Sequence, residues 1–101
     1  MRGRVEDGKI SAIDHAYVFS DAGMPDSERP FAFQYDVPNR RIARHPYESP
    51  IPVGAWRSVD FTQMGFFNES FMDELAHKAG ADPLAFRLAH KSDPRHRAVL
   101  E

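Results

Sequence analysis

A chain of 101 residues, 42% of them apolar and eight of them Phe, is the length of one modest domain and can form a core, with little margin. A formal charge of -2 lacks the basic face of a nucleic-acid binder, and no apolar run approaches membrane-spanning length. With no cysteine, a disulfide frame, a thiolate metal site and a cysteine nucleophile are excluded.

In chain order, "RVEDGKISAIDHAYVFS" reads as a β-hairpin, with Asp7-Gly8 as a favoured two-residue turn. Ile10, Ala12, Asp14, Ala16 and Val18 alternate with Lys9, Ser11, Ile13, His15 and Tyr17, an imperfect pattern that β-branched and aromatic residues still tip toward strand. The first arm of this hairpin is short. "SDAGMPDSERP", residues 20–30, reads as a loop. "FAFQYDV" places Phe31, Phe33 and Tyr35 on one face of a second strand-like run, and Arg41 to Arg44 offer another. Pro46, Pro50 and Pro52 keep residues 46–53 extended.

The last third is helical. Phe67, Phe71, Leu75 and Ala79 repeat every four residues, flanked by Met72 and Ala76, and Gly80 is a natural stop. Asp82-Pro83 and Asp93-Pro94 each read as N-cap and first helical residue. The last helix reaches Glu101 without a cap. The order of elements predicts an α+β chain: antiparallel strands over about 4–60, then helices over about 66–79, 83–90 and 94–101. The short first arm and the uncapped last helix lead to the expectation that residues 1–101 are a single piece of something larger.

The five His (15, 45, 77, 90 and 96) share no i,i+4 pair and no HExxH arrangement, so they read as core or solvated residues and no metal ligand is assigned. Glu69, Asp73 and Glu74 read as a solvated helix face. Arg40, Arg41, Arg44 and His45 form a basic patch that suits either an anion or an edge strand protected from pairing. Ser58 has no nucleophile-elbow context. The remaining stretch, "PIPVGAWRSVDFTQMGFF", is read as a loop placed just before a helix. Gly54 and Ala55 allow close backbone approach, Arg57 carries a fork of donors suited to oxyanions, and Gln63 both donates and accepts. Two accounts stand side by side: a loop bound to something polar and anionic, or a core Trp56 with Arg57 in a structural ion pair.

The same residues resemble a known family. Val53 to Val59, Gln63, Glu69 to Ala76, Asp82 to Arg87 and "YDVPNRRI" (Tyr35 to Ile42) are similar, in order, to segments of the molybdopterin-binding large subunit of the xanthine dehydrogenase and aldehyde oxidase family. The branch they look like most is the β subunit of isoquinoline 1-oxidoreductase-like enzymes. The similarity covers about residues 31–101, and the hairpin agrees more loosely. It implies an oxidoreductase that hydroxylates an N-heterocycle or aldehyde at a molybdenum–molybdopterin centre, with iron–sulfur clusters on a small partner subunit. By position, the resemblance puts Trp56, Arg57 and Gln63 beside the cofactor and Val59 at the substrate.

The departures are as informative. Ser58 and Asp60 stand where xanthine dehydrogenases have glycine, Val59 cannot stack on a ring as Phe would, and Asp60 sets a negative charge near an anionic cofactor. The family's base, a glutamate in a Gly-x-Gly-Glu-type segment, has no counterpart here, nor do the glycine-rich pterin-binding segments. No catalytic residue is therefore assigned. The expected reading is a fragment of a molybdopterin-binding domain, inert and cofactor-free by itself. Its partners would be the rest of the large subunit and an iron–sulfur subunit, in a bacterial cytoplasm or periplasm that the sequence does not choose between. The rivals are a free-standing interaction module derived from the family, using Phe67, Phe71 and Leu75 as a partner surface, and a small anion-binding domain. Surface meant for other parts of a large subunit favours self-association. Size-exclusion with light scattering should give a dimer or larger species; a clean monomer at high concentration would count against this.

Overall fold

Asp7 and Gly8 both take positive φ, 50° and 71°, the type I′ geometry whose twist suits a two-residue hairpin. They join β1 (Arg2–Glu6) to β2 (Lys9–Ser20) in an antiparallel pair. The computed structural model describes residues 1–20, 33–52, 57–58 and 61–101; the residue 20–30 loop is, beyond Ser20, outside the described residues, and so is Phe31. Arg4 pairs with Ala12 but Val5 with Ile10, so Ser11 is an extra residue in β2, and its hydroxyl donates to the Arg4 carbonyl. Such a bulge flips the phase of every later side chain. That explains the imperfect alternation: Ile10, Ile13, His15 and Tyr17 all face the interior.

The third strand corrects one expectation. β3 (Asn39–Tyr47) joins the sheet in the order β1-β2-β3, but it runs parallel to β2, in register from Ala12–Asn39 to Ser20–Tyr47. The sheet is mixed, not antiparallel throughout, and the class remains α+β. Residues 21–38 form a connection long enough for the crossover that a parallel pair demands. Near its end, Phe33 and Tyr35 are buried while Gln34 and Asp36 are exposed. The alternation read from "FAFQYDV" is therefore present, but not in a sheet ladder. The backbone of Asp36 donates instead to the His90 carbonyl, the Ser92 amide donates to the Asp36 carboxylate, and Lys91 Nζ donates to the Gln34 carbonyl.

α1 (Phe61–Ala79), α2 (Pro83–Ala89) and α3 (Pro94–Leu100) follow. α1 begins five residues before the expected 66, because the Ser58 carbonyl accepts from Phe61 N and turns the chain straight into helix. Gly65 in its second turn, a poor helix former, hid that start. Its end matches expectation: Gly80 at φ 64°, with Ala81 N donating to Ala76 O and Gly80 N to His77 O, is a Schellman stop. Asp82 and Asp93 cap as read, accepting from Ala85 N and from Arg95 N and His96 N.

The buried side of α1 is Met64, Asn68, Met72, Leu75 and Ala76. Phe71 and Ala79 are half-buried and Phe67 is exposed, so the stripe is rotated toward the 64-68-72-76 line. Leu75 and Phe71 are consequently not a free partner surface. Met72, Leu75 and Ala76 meet Ile10, Ile13, Phe33, Tyr35 and Phe86 in the main core. Where β1 crosses α1, a Cβ on Gly3 would lie 2.8 Å from Leu75 Cδ2 and 3.0 Å from Phe71 Cζ. None of the described helices is long and apolar enough to cross a membrane.

Two polar links close the fold. Arg87 donates Nε to Glu69 Oε2 at 2.9 Å, Nη1 to Asp73 Oδ1 at 2.7 Å and to Pro83 O, and Nη2 to Glu69 O. Glu69 also accepts from Tyr35 Oη at 2.8 Å. Glu69 and Asp73 are thus a receptor for Arg87 and not simply a solvated face. His90 accepts at Nε2 from Ile10 N at 2.9 Å and holds the Phe86 carbonyl with Nδ1, pinning α2 to the start of β2. Gly3→Ala has no room between strand and helix; it should destabilise the chain by about 1–3 kcal/mol, measured by urea unfolding with an unchanged m-value.

Candidate functional site

The segment singled out in the sequence divides sharply. Val53 to Trp56, Val59 and Asp60 lie outside the described residues, so the expected cofactor contact of Trp56 and substrate contact of Val59 have no structural description. Arg57 and Ser58 are exposed and form the turn immediately before α1. Gln63 is exposed in the first turn of the helix, not in a loop as its neighbours suggested. Helix initiation at Phe61 brings Arg57 and Gln63 to the same end of one element.

Ser58 carries the geometry of that turn. Its φ is 72°, a region that costs a side-chain-bearing residue about 1–2 kcal/mol and glycine almost nothing. Ser58, noted in the sequence as standing where the xanthine dehydrogenase pattern has glycine, thus takes a conformation that glycine favours. Downstream, the first turn of α1 contains no acidic residue, and its first amide, Phe61 N, donates to the Ser58 carbonyl at 2.9 Å. Among the described residues no ion pair engages Arg57. Arg57, Ser58 and Gln63 are exposed near the start of α1, and the chemistry of guanidinium, hydroxyl and amide fits an anionic, hydrogen-bonding group such as a pterin phosphate.

The other candidates are not assembled in this way. Arg41 is engaged by Asp14 at 3.0 Å and Arg44 is half-buried, while Arg40 and His45 are exposed. His45, His77 and His96 are exposed, and His15 and His90 are buried.

What sequence reasoning missed is the support beneath α1. His15 is fully buried, edge-on to the rings of Tyr17, Phe33 and Phe71. Its Nδ1 lies 2.7 Å from Tyr17 Oη, which in turn donates to Asn68 Oδ1 at 3.4 Å. Among the described residues His15 Nε2 has no hydrogen-bond partner. The available signal was the phase of β2, which the Ser11 bulge concealed, together with a lone Asn on the apolar side of a helix.

Comparison with known proteins fits this arrangement. Residues 3–90 match the molybdopterin cofactor-binding domain. The chain belongs to that family. It is 39% identical over 67 residues to the β subunit of isoquinoline 1-oxidoreductase from Brevundimonas diminuta, covering 65% of this chain and 9% of that protein. It is 40% identical over 62 residues to the B subunit of nicotinate dehydrogenase from Pseudomonas putida, covering 60% of this chain and 5% of that protein. The chain therefore spans less than a tenth of the length of these relatives, and oxidoreductase subunits of this kind are what it is similar to.

Burial lowers the His15 pKa to about 4; the Met1 ammonium works in the same direction, while Asp14 opposes both. Above pH 6.5 both folded and unfolded forms are neutral and this group leaves stability unchanged. As pH falls from 6.5 toward 4 only the unfolded chain takes the proton, so stability is lost, in total by about 3 kcal/mol. Urea midpoints across that window should fall for the wild type and flatten for His15→Phe.

Proposed function

We propose that this chain forms part of the cofactor pocket of a molybdenum hydroxylase, with the turn Arg57–Ser58 and the first turn of α1 facing molybdopterin. The observation that carries the reading is an exposed, donor-rich helix start in a chain of the molybdopterin cofactor-binding family. Arg57 would hold an anionic oxygen of the cofactor through its fork of donors, and Gln63 would donate or accept from the same helix end. Trp56 would pack beside them and Val59 would line the substrate side. The chemistry supplied by the bound cofactor is hydroxylation of an electron-poor carbon; this chain's residues bind and orient.

The substrate class is an N-heteroaromatic compound or an aldehyde. Supporting the first, the names of both relatives carry a nitrogen heterocycle, isoquinoline and nicotinate. Both relatives are named as subunits, which supports a partner subunit, here an iron–sulfur protein. Without a catalytic glutamate the chain alone is inert and carries no cofactor. One feature favours the rival reading of a free-standing interaction module: Phe61, Phe66 and Phe67 are exposed at 55%, 69% and 43%, an apolar surface that also favours self-association.

The coding DNA several hundred codons either side decides between them. Continuation in frame to glycine-rich pterin-binding segments and a Gly-x-Gly-Glu segment is expected, and stop codons bounding the chain would overturn the enzyme reading. In the full subunit, Arg57→Ala should lower molybdenum content and turnover about tenfold or more, read by metal analysis and hydroxylation rate. Unchanged values would remove Arg57 from the cofactor.

A further inference from the structure

The two halves of α1 are held by different means. From Glu69 onward the helix is fixed many times over, by Met72, Leu75 and Ala76 in the main core, by Arg87 on Glu69 and Asp73, and by the close passage of Gly3. Its N-terminal half buries only Met64 and Asn68, while Phe61, Thr62, Gln63, Gly65, Phe66 and Phe67 are exposed. Among the described residues, Met64 packs with Tyr17 and Ile42, and Asn68 takes the Tyr17 hydroxyl.

Those two contacts differ in what they specify. Met is unbranched and adaptable, and it fills a gap in many settings of a helix. A hydrogen bond accepts only a narrow range of distance and angle. Asn at a buried helix position is also costly unless its polar atoms are engaged, so an apolar residue would serve simple adhesion better. The Tyr17 hydroxyl is itself held between two groups, 2.7 Å from His15 Nδ1 and 3.4 Å from Asn68 Oδ1.

We propose that Tyr17, oriented by His15, is a positioning residue of the candidate cofactor site: through Asn68 it sets the direction of the N-terminal half of α1, and with it Gln63 and Arg57. The inference rests on the reading of that helix end as a cofactor contact. Asn68 lies seven residues, about 10 Å of helix, from Phe61. A tilt of roughly 10° at Asn68 would move the helix start by about 2 Å, enough to spoil a positioned contact. Among the described residues, the polar chain adds direction to the single apolar cluster that Met64 makes with Tyr17 and Ile42.

Tyr17→Phe keeps the ring against Met64 and removes only the hydroxyl. Hydrogen exchange on the 101-residue chain should show amides of residues 64–68 exchanging about tenfold faster, with those of 72–79 within about twofold of wild type. A general loss of stability would speed both sets alike, as the core variant Met72→Ala is expected to do. In the full subunit, Tyr17→Phe should lower molybdenum content about threefold or more while the protein remains soluble and folded. Uniform acceleration, no acceleration, or local acceleration with unchanged molybdenum content each overturns the proposal. Exchange is read without cofactor, so it stands apart from the Arg57→Ala test: an inert Arg57 would sink the cofactor reading and leave the exchange result as it is.

Discussion

The guanidinium of Arg87 is the interaction on which the rest of the chain depends. It reaches two carboxylates and two backbone carbonyls from the middle of α2. The hydrogen bond to Asp73, joined by that to Glu69, pushes its pKa further upward against the opposing effect of burial. Tyr35, held by the same Glu69 carboxylate, has its own ionisation pushed well above the usual phenol range, first by burial and then by that bond. One cation thereby joins α1, α2 and the end of the crossover connection. Both carboxylates reach solvent while the guanidinium is mostly covered, so losing a carboxylate would leave the cation the less well compensated group. The fork geometry of Arg, which Lys lacks, is what lets a single side chain serve four acceptors.

Much of this was legible in the sequence, for local reasons. Asp7-Gly8, Gly80, Asp82-Pro83 and Asp93-Pro94 act on their own neighbours, and each turn, stop or cap formed where read. The misreadings are non-local. Direction of β3 depends on where an 18-residue connection lands, which no periodicity encodes. The face of α1 was misjudged by one position because three phenylalanines at its start are exposed, against the usual preference. A single inserted residue, Ser11, inverted the reading of β2 and so hid His15 and Tyr17. At the site, Gln63 was placed in a loop and stands in the first turn of α1, because Gly65 and the proline-rich approach weakened the helix signal. The family resemblance rested on ordered motifs, and the match over residues 3–90 extends it into the hairpin, where it had looked looser.

The interior is consequently graded. Beneath the C-terminal half of α1 it is apolar and closely packed, with Arg87 at its border. Beneath the N-terminal half it is a short polar chain inside an aromatic box, and the neutral imidazole there is kept so by burial. Buried polar networks of this kind contribute definition more than net stability. It is the end of the helix nearest this chain that carries Arg57 and Gln63.

The link between Ile10 N and His90 Nε2 spans 80 residues of sequence. During synthesis the hairpin can close early, since its contacts are local and its turn is preformed. Its Ile10 amide, however, stays without that acceptor until His90 has left the ribosome. Gln34 and Asp36 wait similarly for residues 90–92. This part of the fold is therefore latched late at its first strands, and contacts of such long separation are slow to form. Until then the Ile10 amide lacks this partner, so the rate at which residues 86–92 arrive sets how long that corner of the fold stays unlatched.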